Sequence, residues 1–285
     1  MPRAFSDGRR WRLEIPSVEG PAALEAVLVA ADELGVRVDR VSQGSGVALL
    51  RQVELEAMAR TARAAGVELV LWAGLRGAWD IGAQARASSG AAAAGAVRGR
   101  AGLAAGLDEA VRAAEAGVAG VLVADLGLLV HLARARSDGR LPAGFVLKVS
   151  ISFPVANPAT AATLETLGAS TLNLPVDLPL ADIADIRAGT GLPLDCYVEG
   201  ADDFGGVLRY HELASLVEAA APVHLKFGLR NVQGTYPAGG QVDQAVLAGA
   251  RERVRRAAIG LELLGRQLGE RSEGAVPTRP GRSGA

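Results

Sequence analysis

The chain has 285 residues, 49% hydrophobic and 21% charged, with a formal net charge of −1. That composition suits a large ordered core and excludes an intrinsically disordered chain, and the missing cation excess argues against a nucleic-acid partner. The single cysteine, Cys196, excludes an intrachain disulfide framework and any metal or iron–sulfur site built from several cysteines of this chain.

Along the chain, short β-like runs alternate with helical stretches. The first run is WRLEIP at 11–16, followed by a helix at about 21–34. VRVDRVS at 36–42 precedes a helix near 51–65, and VELVLWAG at 67–74 precedes one near 104–116. AGVLVAD at 119–125 leads to a helix at 126–136, and FVLKVSISF at 145–153 to one at 158–167. STLNLP at 170–175 precedes a short helix at 180–188, and LPLDCYVEG at 192–200 one at 208–220. The eighth run, VHLKFGL at 223–229, is followed by a long helix at about 243–267.

Eight strand–helix units of roughly 32 residues predict an α/β fold, a closed (β/α)8 barrel. A doubly wound open sheet is the runner-up, but no GxGxxG follows the first strand and no Walker motif occurs. Asn157-Pro158 reads as an N-cap and first helical residue, and Gly35, Gly66, Gly117 and Gly168 fall where helices should end. The barrel is expected over 1–269, with a disordered tail at 270–285 that is polar and rich in Gly and Pro. Residues 75–103 form a long loop after the third strand, a candidate lid at the barrel mouth. The basic start has no apolar stretch of signal-peptide length, and no run of 18 apolar residues appears. A cytoplasmic protein without a membrane partner is expected, and a homo-oligomer is compatible with it.

Side chains alternate faces along a strand. On the fifth strand Lys148, Ser150 and Ser152 share one face; on the seventh, Asp195, Tyr197 and Glu199 do. The eighth gives His224 and Lys226, the first Arg12, Glu14 and Pro16, the third Glu68, Val70 and Trp72, and the sixth Thr171 and Asn173. The opposite faces are apolar and belong against the helices, so the polar sets point into the barrel. Of the 30 basic residues only Lys148 and Lys226 are lysines, and both lie on these inward faces. Buried charges must pair. Lys226 is therefore expected beside Glu14 on one side and Asp195 or Glu199 on the other, and Lys148 near Asp125 and Asn173.

These residues make Lys226, Glu14, Glu199 and Tyr197 the candidate catalytic set. Lys148, Asn173, Arg230, Trp72, Gln43, Asp195 and His224 are candidate substrate contacts. Glu14, Asp125 and Glu199 form a candidate oxygen-rich set for Mg²⁺ or Mn²⁺, and no iron–sulfur cluster is expected. Asp202 and Asp203 are a further loop pair for metal, polyol or helix capping. His131 and His211 belong to helix surfaces, and Cys196 faces the helices.

Two segments resemble the U32 peptidase-like (collagenase-like) family. LEIPSVEGPAALEAVLVAADELG is similar to that family's first strand and helix, with Glu14, Pro16 and Gly20 in matching places. Asp195-Cys196-Tyr197-Val198-Glu199-Gly200-Ala201 resembles its signature region, with Asp195 in place of the family's usual glutamate. The resemblance implies a TIM barrel and carries Glu14, Tyr197, Gly200 and Ala201 across. It also implies peptidase or collagenase activity, or, in other members, a cysteine-held iron–sulfur cluster. No cysteine follows Ala201, so a divergent member lacking the cluster is expected.

The residues themselves point to a lyase or isomerase acting on a small polar carbonyl or hydroxy-acid metabolite. An interior lysine serves either as a Schiff-base amine or as a cationic clamp for an enolate. The alternatives are a U32-like amide or peptide hydrolase and a non-catalytic partner subunit.

Overall fold

A computed structural model describes residues 4–74, 95–232 and 236–273, the last four as backbone alone. Eight parallel strands close into a barrel in chain order: β1 (Trp11–Pro16), β2 (Arg40–Gln43), β3 (Glu68–Trp72), β4 (Gly120–Val123), β5 (Val146–Val149), β6 (Thr171–Asn173), β7 (Leu194–Glu199) and β8 (Val223–Phe227). Among the described residues, eight α-helices alternate with them: α1 (Pro21–Glu33), α2 (Gln52–Ala64), α3 (Gly99–Glu115), α4 (Leu126–Ser137), α5 (Pro158–Thr166), α6 (Leu180–Gly189), α7 (Leu213–Ala220) and α8 (Asp243–Glu273). This is the expected (β/α)8 barrel. None of the described helices is long and apolar enough to cross a membrane.

Local chemistry sets the boundaries. Asn157 caps α5 by accepting from Thr160 N at 2.9 Å, with Pro158 at the first helical position. The four glycines read as helix ends all have positive φ, from 62° to 97°. Several boundaries depart from the sequence reading. β2 begins at Arg40, because 36–39 approach the barrel as irregular chain. β5 stops at Val149, so Ser150 and Ser152 lie on the turn beyond it. Helix α3 starts at Gly99, within the loop expected at 75–103; residues 75–94 of that loop lie outside the described residues. Helix α8 continues to Glu273, into the segment read as tail, and 274–285 lie outside the described residues.

The apolar residues divide into two clusters. The larger lies between strands and helices and takes the outward faces, such as Leu13, Ile15, Val121, Leu147, Cys196, Leu225 and Phe227. The smaller, Val70, Trp72, Leu122 and Ala124 with Val146 against it, fills only the β3–β5 side of the barrel interior. The rest of the interior is polar.

The register stacks those interior residues in layers contributed by alternate strands. Glu14, Val70, Lys148 and Asp195 come from the odd strands. Above them, toward the C-terminal mouth, lie Ser42, Leu122, Asn173 and Lys226 from the even strands; below lie Arg40, Gly120, Thr171 and His224.

Helix α8 closes the ring against α1 and β8. Its contact with β8 depends on Gly260, where an added Cβ would lie 2.4 Å from the buried Phe227 ring. Gly260→Ala is expected to destabilise the fold. Overpacking costs about 1–3 kcal/mol, which exceeds the roughly 1 kcal/mol that alanine returns in helix propensity. A Tm equal to or above wild type in a thermal melt would contradict the close contact.

Candidate active site

Four charged side chains at the centre of the barrel are almost wholly shielded from solvent: Glu14 and Lys148 at 0%, Asp195 at 0% and Lys226 at 1% exposure. Glu14 holds them together. Its Oε2 accepts from Lys148 Nζ at 2.6 Å, while Oε1 accepts from Ser42 Oγ at 2.7 Å and pairs with Lys226 Nζ at 3.2 Å. Arg40 Nη1 adds a longer contact to Oε2 at 3.5 Å. Asp195, in the same layer, accepts from Lys148, from Thr171 Oγ1 at 2.8 Å and from Arg40 Nη1 at 3.1 Å.

Burial alone would raise both carboxyl pKa values. The surrounding cations outweigh it: Lys148 and Lys226 around Glu14, Lys148 and Arg40 around Asp195. Both carboxyls are held well below their ordinary range. For Lys148 burial wins. It pulls the amine down to about 8 against the attraction of Asp195 and Glu14, with Lys226 and Arg40 adding to the fall.

Lys226 sits one layer nearer the mouth. In the orientation that satisfies its partners, the Asn173 amide accepts from Lys226 Nζ at 3.0 Å and donates to the Asp195 carbonyl oxygen at 3.3 Å. The ammonium also lies 4.4 Å from the centroid of the Tyr197 ring, its cross-strand neighbour. Above it opens a recess lined by Lys226, Asn173, Tyr197, Trp72, Ser42 and Gln43, with Ser150, Ser152 and Tyr236 among the rest. Lys148, Glu14 and Asp195 lie beneath this lining.

The mouth is braced on the β1–β2–β8 side. Ser17, at φ 60°, shares a 2.5 Å hydrogen bond with Tyr236, and Ala238 N donates to Ser45 Oγ at 2.8 Å. Glu19 accepts from Gly44 N and Ser45 N at 2.8 and 2.9 Å. Gly44 is required there, since an added Cβ would lie 2.5 Å from the Tyr236 ring. Gln43 closes the same turn by bonding both backbone groups of Gly46.

Other expected residues fall elsewhere. Glu199 does not meet Lys226. A register shift after Tyr197 turns it outward, where it accepts from Tyr210 Oη at 2.7 Å and Arg230 N at 3.1 Å and pairs with Arg256 of α8 at 3.4 Å. Asp125 does not approach Lys148. It caps α4 through Leu128 N at 2.8 Å and accepts from Val97 N at 3.0 Å. Glu14, Asp125 and Glu199 therefore serve three separate sets of partners, and among the described residues no three His, Cys, Asp or Glu side chains form a metal cluster.

His224 lies on the β8 floor with Asp195 at 2.8 Å and the Phe5 ring at 5.0 Å. Burial lowers its pKa, helped by Arg40 and opposed by Asp195. Arg230 points away from the recess and forks onto Asp202 Oδ1 at 2.9 and 2.7 Å. The buried Cys196 thiol is pushed up to about 12 by burial and faces the helices. His131 and His211 are exposed on their helices.

Sequence reasoning missed Arg40, whose Nε also bonds Glu68 at the lower rim. The alternation of Arg40 and Ser42 with Val41 carried that signal. Nothing periodic announces Tyr236, which enters from a loop.

The family model for Peptidase family U32 matches residues 101–203, which run from α3 through the turn after β7. That stretch, less than half of the chain and including the Asp195–Ala201 signature but not the β1 segment, supports distant kinship to the family. No curated protein matches the chain. Among solved structures, a protein from Coccidioides immitis assigned as a fructose-1,6-biphosphate aldolase superposes with a TM-score of 0.56. It is 13% identical over 90% of this chain and 92% of that one, which shows the shared barrel fold. The U32 peptidase Mk0906 gives a TM-score of 0.42 at 19% identity, covering 70% of this chain and 73% of that one.

Two measurements check the charge network. With only two lysines, ¹³Cε-lysine NMR should give two signals, one with a midpoint near 8 that vanishes in Lys148→Met. Between about 8 and 10.5 the folded amine releases a proton that the unfolded chain keeps, so its contribution to stability rises with pH there. Two midpoints at the ordinary lysine value would contradict this.

Asp195→Asn leaves Lys148 and Arg40 short of an anion and should cost about 3–5 kcal/mol in urea unfolding. Adding Lys148→Met should recover part of it, with a coupling of at least about 1 kcal/mol. The stabilisation by Asp195 is present at neutral pH and is lost as pH falls below about 4. Strictly additive mutants would show that the two residues do not interact.

Proposed function

We propose that this chain is a catalytic barrel for a small polar carbonyl or hydroxy-acid metabolite, and that it works as a lyase or isomerase with Lys226 at the reacting carbonyl. The observation that carries this reading is the position of Lys226. It is the one lysine lining the recess at the C-terminal mouth, where (β/α)8 barrels keep their active sites. Asn173 accepts a hydrogen bond from it, Glu14 pairs with it, and the side chain borders the recess.

A carbonyl oxygen placed over Lys226 is polarised in a water-poor site, and charge developing on that oxygen as a neighbouring bond breaks or a proton leaves is stabilised there. Glu14 positions the ammonium from below and is itself kept ionised by Lys148, so the first lysine supports the second. Trp72 and Tyr197 form the apolar walls that exclude water, and Ser42, Ser150 and Ser152 offer hydroxyls to a polar substrate.

A second reading, amide hydrolysis, draws on the family-model match to 101–203. Under it Lys226 would steady the oxyanion of a tetrahedral intermediate.

The test is turnover of a panel of short oxo-acids, hydroxy-acids, ketoses and peptides, followed by NMR. Lys226→Met should lower kcat/KM by at least about 10²–10³ for the active compound while leaving the Tm near wild type. Borohydride reduction with peptide mapping then tells a covalent Lys226 adduct from a purely electrostatic role. Carbonyl turnover that survives in Lys226→Met sinks the proposal, and cleavage of peptides alone favours the hydrolase.

A further inference from the structure

Arg253 is a buried guanidinium, 3% exposed, on the inner side of α8. Other buried arginines are paired: Arg40 with Glu68, Glu14 and Asp195, and Arg209 with Glu212 and the Leu178 carbonyl. Arg253 differs. Its Nε has no hydrogen-bond partner, and among the described residues its guanidinium forms no ion pair. Leaving such a group unpaired in the interior is costly. The fold nonetheless makes room for it: an added Cβ at Gly249, one turn earlier on α8, would lie 3.2 Å from Arg253 Nη1.

The side chain lines a second recess between the loops after β1, β7 and β8. That recess shares Pro16, Ser17, Tyr197, Phe204 and Tyr236 with the one above Lys226. The two recesses therefore adjoin one another.

We propose that Arg253 anchors the carboxylate of the substrate, so that the two recesses form one site for an oxo- or hydroxy-acid whose carbonyl or hydroxyl carbon faces Lys226. A planar guanidinium fork matches the two oxygens of a carboxylate. A dianion fits less well, because Asp203 lines the same recess and Glu19 and Glu199 lie close enough to act on Arg253 through space. The identity of the reacting end rests on the reading of Lys226 given above; the anchor is tested separately from it.

The experiment compares the full chain with Arg253→Gln, Arg253→Lys and Lys226→Met. The probes are pyruvate, its uncharged methyl ester and inorganic phosphate, with binding read by titration calorimetry and ligand-observed NMR. Arg253→Gln should weaken pyruvate by about tenfold or more and leave the ester unchanged. Arg253→Lys should recover part of the loss. The Tm of Arg253→Gln should equal or exceed wild type, because a buried unpaired cation has been removed.

Equal binding of pyruvate to wild type and Arg253→Gln overturns the anchor. So does an equal loss of acid and ester, tighter binding of phosphate than of pyruvate, or no carboxylate binding by wild type at millimolar concentration. A Tm several degrees below wild type in both Arg253 variants would mark Arg253 as structural and also overturns it. If pyruvate still depends on Arg253 while Lys226→Met binds the ester as wild type does, the anchor stands and the reading of Lys226 fails.

Discussion

A single carboxylate, Glu14, holds both lysines of the chain in the centre of the barrel, Lys148 on one oxygen and Lys226 on the other. Neither amine could be buried at this depth alone, since an unpaired ammonium in the interior costs several kcal/mol even after relaxation. The pairing is also directional. Lys148 and Asp195 share the odd-strand layer with Glu14, while Lys226 sits one layer closer to solvent. The deeper lysine spends its hydrogen bonds on protein carboxylates, and the shallower one keeps a face for the recess. Two chemically identical side chains thus receive different tasks from their depth in one barrel.

The imbalance of charge strengthens that division. Three buried cations, Arg40, Lys148 and Lys226, face two buried carboxylates, Glu14 and Asp195, with Glu68 pairing Arg40 at the lower rim. The carboxylates are concentrated below the mouth, and the Glu199 carboxylate expected beside Lys226 is turned outward to Tyr210 and Arg256. The mouth is therefore left with a cation and hydroxyls rather than with an acid pair. Such a surface is the basis for proposing a ligand that is anionic or that becomes so during reaction. The apolar half of the interior, built on Val70, Trp72 and Leu122, excludes water from the same place and raises the strength of every charge interaction there.

The barrel itself was legible in the sequence because its signal is repetitive: eight alternating runs, with glycines and an Asn-Pro cap at the helix ends. The inward direction of Lys148, Lys226, Glu14, Asp195 and Asn173 followed from the two-residue period of a strand. The partners were harder. Reasoning from adjacent strands put Lys148 beside Asp125, whereas long side chains in a barrel meet across alternate strands, and Lys148 reaches β1 and β7. Strict alternation also put Glu199 inside, and the register shift after Tyr197 reversed it. Such an irregularity leaves no mark in a composition pattern. Tyr236 and Arg253 were invisible for another reason: one enters from a loop and the other from a helix of the outer ring, and neither belongs to the strand pattern.

That last pair shows that the recess walls are not drawn from the strands alone. The strands supply a rigid, charge-paired base whose geometry is overdetermined by many contacts, and changes there act first on stability. Part of the recess walls comes from outside the strands. Ser17 and Tyr236 meet across 219 residues of sequence to form one wall, and Arg253 looks in from behind β8. Under the proposed carboxylate anchor, a relative that kept Glu14, Lys148 and Asp195 but lost Arg253 would retain the barrel while changing the charge of what it binds. The U32 family model stops at residue 203, before β8, Tyr236 and Arg253. The matched segment thus supplies Lys148, Asn173, Asp195 and Tyr197, whereas Lys226, Tyr236 and Arg253 lie outside it. Kinship to that family therefore does not by itself fix the chemistry proposed for this site, because Lys226 and Arg253 lie where the family model does not reach.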